Sequence, residues 1–179
     1  MVNMGDAELR SENVDRAVKG FISYTIASAQ NELSKTRTIR GRTIRRVASG
    51  KLKASLYGKA FTKEGKTSIG FGSTTSYGKM IEYGVNGTRV KYGSPYSYTG
   101  ENVNTDWVTN WAQSKGIQLD EGTTLNGLRY VIGRSLARNG IAPVPYMQLG
   151  IEAARKKFDD NLFGAFVKDL DNEIDKKLT

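Results

Sequence analysis

The sequence contains no histidine and no cysteine among its 179 residues. Without an imidazole there is no Ser-His or Cys-His nucleophile pair and no histidine-ligated metal, and without a thiol there is no disulfide. Catalysis by carboxylates or lysine alone stays open, but no acidic pair stands out. Asp120 and Glu121 are adjacent in a predicted loop, and Asp159 and Asp160 are adjacent in a predicted helix, where neighbours point in different directions. We therefore expect no enzymatic activity, no metal and no cofactor.

Long apolar runs are also missing. The chain has no stretch of about 18 apolar residues, which argues against a membrane-spanning helix. The segment from Met1 to Arg10 lacks the basic-then-apolar order of a secretory signal. We expect a soluble protein that stays in the compartment where it is made and has no membrane partner.

The apolar content is low for a compact protein. Hydrophobic residues make up 38% of the chain, 20 residues are glycine, and the mean hydropathy is −0.48. This composition predicts long loops that gain order against neighbouring subunits. The length fits one domain. We predict a single α+β domain over residues 1–179, with an inserted loop and helix region at about 89–122.

Hydrophobic periodicity predicts a long N-terminal helix over about residues 7–34, with Ser11 as a candidate N-cap. Two strands, Leu56–Phe61 and Thr67–Gly72, flank a glycine-containing turn and predict an antiparallel hairpin. The fold class is therefore α+β, with a long N-terminal helix, a small antiparallel β-sheet with a hairpin, and C-terminal helices.

The C-terminal helices follow from the same reasoning. Apolar residues from Met147 to Ile174 recur at four-residue steps, and Gly150 or Gly164 is the place for a bend. The segment Asp106–Lys115 is also predicted to be a helix, with Trp107, Val108 and Trp111 on one side of it. The other predicted helical segments are the amphipathic turn Tyr77–Tyr83, ended by Gly84, and Leu125–Asn139, ended by Gly140.

Positive charge is concentrated in one segment of a chain whose formal net charge is +9. The stretch from Lys35 to Arg46 has no acidic residue, and Gly41 interrupts its β-favouring residues, so we expect extended backbone that does not fold tightly on itself. It is either an anion-binding segment, for phosphates or an acidic protein patch, or a solvated basic loop. No aromatic residue is interleaved, so contact with nucleic acid would involve phosphates and not bases. The candidate contact residues are Lys35, Arg37, Arg40, Arg42, Arg45 and Arg46.

A tyrosine-rich segment follows a predicted tight turn at Asn86 and Gly87. The residues from Arg89 to Glu101 predict a long irregular loop. Tyrosine provides a large contact area at low entropic cost, so the loop suits an interface between subunits. The alternative is a loop folded onto its own domain. The candidate contact residues are Tyr92, Tyr96 and Tyr98.

Three segments occur in an order that resembles the head–tail joining (neck or tail-completion) proteins of long-tailed bacteriophages. The first is Ser49–Leu56, followed by a hairpin; the second is Ser76–Gly84, which ends in Glu-Tyr-Gly. The third is Ile132–Ile141, followed by Pro143 and by the entry into the last helix at Pro145-Tyr146-Met147. The resemblance covers roughly residues 10–165, and the stretch from Arg89 to Gly122 is additional to the shorter members of that family.

The resemblance implies a structural ring subunit of the virion neck, assembled in the host cytoplasm. It implies as partners other copies in the ring, neighbouring neck, connector or tail proteins, and transient non-specific contact with genomic DNA. The alternative from the residues is a stand-alone basic protein that binds nucleic acid through phosphates. The acid-rich chain from Asp159 onward has the opposite sign to Lys35–Arg46, and these segments pair either between copies or within one chain.

Overall fold

The computed structural model describes residues 12–39, 42–45, 50–63, 66–100, 103–114, 116, 118 and 122–178. Ser11, Gly41, Arg40 and Arg46 lie outside these ranges. The helices are α1 Glu12–Ser34, α2 Lys51–Ala54, α3 Gly78–Tyr83, α4 Trp107–Ser114, α5 Leu125–Asn139 and α6 Tyr146–Leu178. The strands are β1 Thr36–Ile39, β2 Arg42–Arg45, β3 Leu56–Lys63 and β4 Lys66–Ser73. The predicted α+β fold class is confirmed.

The two longest helices, α1 and α6, pack side by side in opposite directions. Gly150 near the start of α6 lies against Ala29 near the end of α1, and a Cβ there would come within 3.0 Å of the Ala29 nitrogen. Farther along, the Phe158 ring of α6 makes an edge contact with Phe21, at 6.1 Å between ring centroids. Helix α6 continues without interruption through Gly164, and Gly150 serves this close approach.

Helix α1 buries the stripe that its periodicity predicts. Its buried residues are Val18, Phe21, Thr25, Ala29 and Leu33. Burial of a large apolar side chain such as Phe21 contributes about 1.5–3 kcal/mol. The hydroxyl of Thr25, fully buried, donates to the Phe21 carbonyl at 2.8 Å, which satisfies the polar atom within the helix.

The first turn of α1 is capped from the far end of α6. The Asp169 carboxylate accepts the backbone N–H of Val14 at 2.9 Å and the side-chain amide of Asn13 at 2.7 Å. The first N–H groups of a helix have no partner inside it, and they carry the positive end of its dipole. Desolvation alone would raise the pKa of Asp169, but these hydrogen bonds and the nearby Arg16 lower it below its ordinary value.

The β3–β4 hairpin covers one side of α1. Its antiparallel register pairs Gly58 with Phe71, and paired residues point to the same side of a sheet. Gly58 leaves room for Ile22 of α1, because a Cβ there would lie 2.7 Å from the Ile22 Cγ2 atom. The Phe71 ring lies 6.3 Å from the Phe21 ring. Both strands are confirmed, each slightly longer than predicted.

A small core joins the C-terminal end of α1 to the short helices. Four buried residues from α1, β3 and α6 form its centre, and partly buried residues of α2, α3 and the chain before α6 surround them. The central residues are Ala29, Leu33, Leu56 and Tyr146. The surrounding residues are Ile26, Leu52, Ile81, Val144 and Met147.

The end of α5 is joined to the chain after α3 by close backbone contact. Val85 pairs with Ile141 through two backbone hydrogen bonds of 2.8 Å. Gly87 lies so close to the Arg138 carbonyl that a Cβ would sit 2.2 Å from its oxygen. Gly140 ends α5 at φ +67°, as its position predicts. The tight turn predicted at Asn86 and Gly87 is wrong, because Asn86 is in a bridge with Ser97 and the bend follows at the next residues.

Helix α4 buries its small residues and leaves a tryptophan exposed. Val108 is fully buried and Ala112 is buried, whereas Trp107 is 47% exposed. The small residues face inward, and the Trp107 ring instead contacts Trp111 edge-on at 6.3 Å. Asp106, just before α4, forms an ion pair with Arg129 of α5. The two tryptophans share a side, as the pattern predicts, but the residues that α4 buries are Val108 and Ala112.

Candidate interaction surfaces

The basic segment forms a hairpin at the C-terminal end of α1. Lys35 follows the helix directly, Arg37 lies on β1, and Arg42 and Arg45 lie on β2. The expectation that this segment does not fold on itself is wrong, because β1 and β2 pair antiparallel. Arg40 and Arg46 lie outside the described residues.

The register of this hairpin explains why like charge does not prevent it. Arg37 is paired with Ile44, Arg42 with Ile39, and Arg45 with Thr36. Like charges directly opposite each other destabilise a sheet, and here each described arginine is opposite an uncharged residue. The predicted extended backbone is confirmed.

Two further lysines lie at the same end of the molecule. Lys53 of α2 donates from its ammonium group to the Ser34 hydroxyl at 2.8 Å, and its carbonyl accepts from Gln30 at 3.0 Å. These contacts hold α2, which also carries Lys51, beside the last turn of α1. Lys35 pairs with Glu32 on that turn. The end of the molecule that contains β1, β2 and α2 is called the basic end below.

The tyrosine loop is organised around the buried side chain of Asn86. Its Oδ1 accepts the backbone N–H of Tyr92 at 2.7 Å, and its Nδ2 donates to the carbonyl of Ser94 at 2.7 Å and to the hydroxyl of Ser97 at 3.1 Å. Its backbone N–H donates to the Tyr96 carbonyl at 2.8 Å. Asn86 therefore shapes the loop from within the chain, and sequence reasoning missed this role because only the Asn-Gly dipeptide was considered.

The three tyrosines are distributed along this loop. Tyr92, Tyr96 and Tyr98 are each half-buried against their own chain. Burial raises the pKa of the Tyr98 hydroxyl above its ordinary value. The loop is thus folded onto its own domain, and part of each ring surface stays accessible to a partner.

The outer face of the β3–β4 hairpin exposes aromatic rings and lysine in alternation. Tyr57 is 42% exposed and Phe61 is 57% exposed, and Lys59 between them lies 5.8 Å from the Tyr57 ring centre. The rings cover glycines of β4: a Cβ at Gly72 would lie 2.8 Å from the Tyr57 hydroxyl, and one at Gly70 would lie 3.3 Å from Phe61. Sequence reasoning did not single out this Tyr-x-Lys-x-Phe alternation, although it is visible in the sequence.

A groove of about 910 Å³ lies between β4, α3 and the first turns of α6. At its floor the buried Glu82 carboxylate accepts the backbone N–H groups of Met147 at 2.9 Å and Gln148 at 3.1 Å. Desolvation by burial raises the pKa of Glu82, although these hydrogen bonds act in the opposite direction. Glu82 therefore serves as the N-terminal cap of α6, and in the Glu-Tyr-Gly segment the charged residue is buried while Tyr83 is 54% exposed.

Tyr146 completes this arrangement from the first residue of α6. Its hydroxyl donates to the Gly78 carbonyl at 3.1 Å, and the ring is almost fully buried. Desolvation, assisted by the nearby Glu82 carboxylate, raises the pKa of Tyr146 to about 12. The hydroxyl therefore acts as a fixed hydrogen-bond donor between α3 and α6.

Helix α5 presents a second exposed face. Tyr130 and Val131 are 52% and 64% exposed, and Arg134 donates to the Tyr130 hydroxyl at 2.8 Å. The helix carries three arginines and no acidic residue. This face is apolar and positive, a combination that is common at interfaces with proteins or nucleic acids.

Comparison of the chain with protein-family models, with curated proteins and with solved structures found no match. Across the described residues, no group of three acidic side chains is arranged to hold a metal ion. No helix in the part of the chain that the structure describes is both long and apolar enough to cross a membrane.

Proposed function

We propose that this chain is a structural, non-enzymatic subunit of the neck of a long-tailed bacteriophage. In this role it is a head–tail connector or tail-completion protein that forms a ring around the DNA channel and joins the capsid and portal side to the tail. Its partners are other copies of itself, neighbouring neck, connector or tail proteins, and, transiently, genomic DNA. Its place is the virion, after assembly in the host cytoplasm.

The observation that carries this proposal is the set of large aromatic side chains that stay exposed among the described residues. Phe61 is 57% exposed, Tyr83 is 54% exposed and Trp107 is 47% exposed. These rings lie on the β3–β4 hairpin, on α3 and at the start of α4. Exposed apolar patches of this kind mark surfaces that pack against other proteins.

The segments that carry the family resemblance support a scaffold role. Leu52 of the first segment and Ile81 of the second pack around Tyr146 of the third. Glu82 caps the helix that begins in the third segment. These residues hold helices together, so the shared pattern is explained by architecture and requires no reaction.

The exposed residues then take the docking roles. The basic end, with Lys35 and the hairpin arginines, contacts an acidic neighbour or DNA phosphates without reading sequence. The half-buried rings of Tyr92, Tyr96 and Tyr98 form part of the contact between subunits. Because a strongly basic channel lining would slow DNA transit, we favour protein docking for the basic end.

The test is the oligomeric state of the purified chain, alone and with the other proteins of the neck. Mass photometry over a range of concentrations, followed by negative-stain electron microscopy, should show closed rings with an opening that admits duplex DNA. Antibody labelling of intact particles should locate the chain between head and tail. A chain that stays monomeric at every concentration, joins no neck protein and is absent from particles would refute the proposal.

A second candidate, a stand-alone nucleic-acid-binding protein, is favoured by the outer face of the β3–β4 hairpin. Tyr57, Lys59 and Phe61 alternate ring and charge, and stacking on an aromatic ring contributes about 1–3 kcal/mol per base. Fluorescence anisotropy with single-stranded and duplex oligonucleotides at several salt concentrations tests it. Phe61→Ala should weaken binding of the single-stranded oligonucleotide and leave binding of the duplex unchanged. Absence of binding by the wild-type chain at low salt would eliminate this candidate.

A further inference from the structure

Positive charge is gathered at the basic end of the α1–α6 pair. Six of the twelve residues from Lys35 to Arg46 are basic and none is acidic, and α2 adds Lys51 and Lys53. The Lys53 contact with Ser34 holds α2 beside the last turn of α1, directly before Lys35.

Negative charge is gathered from the middle of α6 onward. Between Asp159 and Asp175 the sequence has six acidic residues and one lysine, before Lys176 and Lys177 close the helix. Asp169 in this stretch caps the first turn of α1, where Glu12 and Asp15 are exposed. The end of the molecule formed by the start of α1 and the C-terminal half of α6 is called the acidic end below.

The packing of α1 on α6 keeps these ends apart. Ala29 lies beside Gly150, Phe21 beside Phe158, and Asn13 beside Asp169, so the helices are antiparallel along the whole of α1. Helix α1 has 23 residues and is therefore about 34 Å long. That distance exceeds the Debye length of about 8 Å at physiological salt. The acidic and basic segments therefore do not neutralise each other within one chain.

We infer that the basic end of one copy docks on the acidic end of the next copy. Complementary charge selects this arrangement, because contact of like ends would bring charges of one sign together. The contact joins two different surfaces of the same chain, so it is heterologous and propagates until rotation closes it into a ring. The inference rests on the proposed ring, and it identifies the surfaces that form the ring contact.

The test uses two charge-reversed chains. The first carries Arg42→Glu and Arg45→Glu at the basic end, and the second carries Asp171→Lys and Asp175→Lys at the acidic end. Each chain alone should need at least about a tenfold higher concentration for half-association than wild type, since the substituted residues then have the same sign as the unaltered end that they face. An equimolar mixture of the two variants should form assemblies in which the variants alternate, and it should recover the mass of the wild-type assembly. The reason is that each contact in the mixture again joins opposite charges.

The control is Lys19→Glu with Lys156→Glu, which changes the net charge by the same amount as the first chain at exposed positions of α1 and α6 outside the two ends. It should associate like wild type. Recovery in the mixture also shows that both reversed chains are folded, because an unfolded chain cannot restore the assembly.

The outcomes separate this inference from the ring proposal. If each reversed chain forms rings as wild type does, or if the control is impaired equally, end-to-end docking is overturned while the ring stands. If wild-type chain forms no assembly under any condition, alone or with neck proteins, both are overturned. Failure of the mixture to recover also overturns the inference.

Discussion

The Glu82 carboxylate of α3 accepts the backbone N–H of Met147 at 2.9 Å, and so caps a helix that begins more than sixty residues later in the chain. Replacing Glu82 with Ala should destabilise the protein by about 1–2 kcal/mol, because the cap is lost at a buried position. Glu82→Gln keeps an acceptor and should cost less. Urea unfolding followed by circular dichroism measures both. Equal stability of wild type and Glu82→Ala would contradict the capping role.

The pH dependence of stability follows from the same carboxylate. Folding raises the pKa of Glu82, so its folded form binds a proton more readily than its unfolded form. Its contribution is fully present below the ordinary pKa of 4.5 and is lost as pH rises through the raised value. The difference in unfolding free energy between wild type and Glu82→Gln should therefore shift in favour of Gln as pH rises across that window. A difference in unfolding free energy that does not change with pH would contradict the raised pKa of Glu82.

Asp169 should show the opposite dependence. Its pKa is lowered in the folded protein, so its contribution is present above the ordinary value of 3.8 and is lost as pH falls through the lowered one. Asp169→Asn should remove this acid sensitivity and loosen the first turn of α1. Hydrogen exchange at Asn13 and Val14 provides a local measurement. Exchange in the variant at the wild-type rate would show that the cap does not hold the turn.

Two glycines of α6 provide a matched pair of substitutions. A Cβ at Gly150 would lie 2.8 Å from the Thr25 carbonyl oxygen and 3.0 Å from the Ala29 nitrogen, so the helices must move apart. Gly150→Ala should destabilise the protein by about 1–3 kcal/mol, despite its better helix propensity. Gly164→Ala meets nothing within 4 Å and should stabilise by about 0.5–1 kcal/mol. Denaturant unfolding of both variants measures the two changes in stability. Changes of the same sign in both variants would contradict the close approach at Gly150.

Asn86→Ala should release the tyrosine loop. The substitution removes four side-chain hydrogen bonds of 2.7–3.3 Å with Tyr92, Ser94 and Ser97 and leaves buried groups without partners. The expected cost is about 1–3 kcal/mol, with faster hydrogen exchange and proteolysis in the loop. Asn104→Ala is the control, because the exposed Asn104 side chain makes one local contact with Asp106. A loop as protected in Asn86→Ala as in wild type would show that Asn86 does not organise it.

Local sequence patterns predicted which segments form helices and strands, whereas long-range contacts determine the roles of individual residues in them. The stripe from Val18 to Leu33 is buried as its period predicts, and α5 has its predicted bounds. Periodicity did not show that Glu82 would cap α6 or that Asn86 would hold a loop. Both depend on which distant backbone groups arrive beside the side chain, and sequence spacing carries no information on that.

The basic segment Lys35–Arg46 shows the same limit of prediction from sequence. Its residues predicted extended backbone correctly, but the pairing of Arg37 with Ile44 and of Arg42 with Ile39 depends on register. Composition counts six cations and predicts repulsion, whereas the register places the three described arginines, Arg37, Arg42 and Arg45, opposite uncharged residues. Helix α4 shows a similar limit, because a helical stripe shows which residues share a side and not which side faces the core.

The fastening of α1 to α6 has a mechanical consequence. Asp169 ties α6 to the first turn of α1, and the Gly150 contact seats it against Ala29 near the other end, so neither helix can slide along the other. Such a pair of helices can transmit a force along its axis without shortening. In the proposed ring, a force received at one tip would pass to the opposite tip and on into the adjoining protomer.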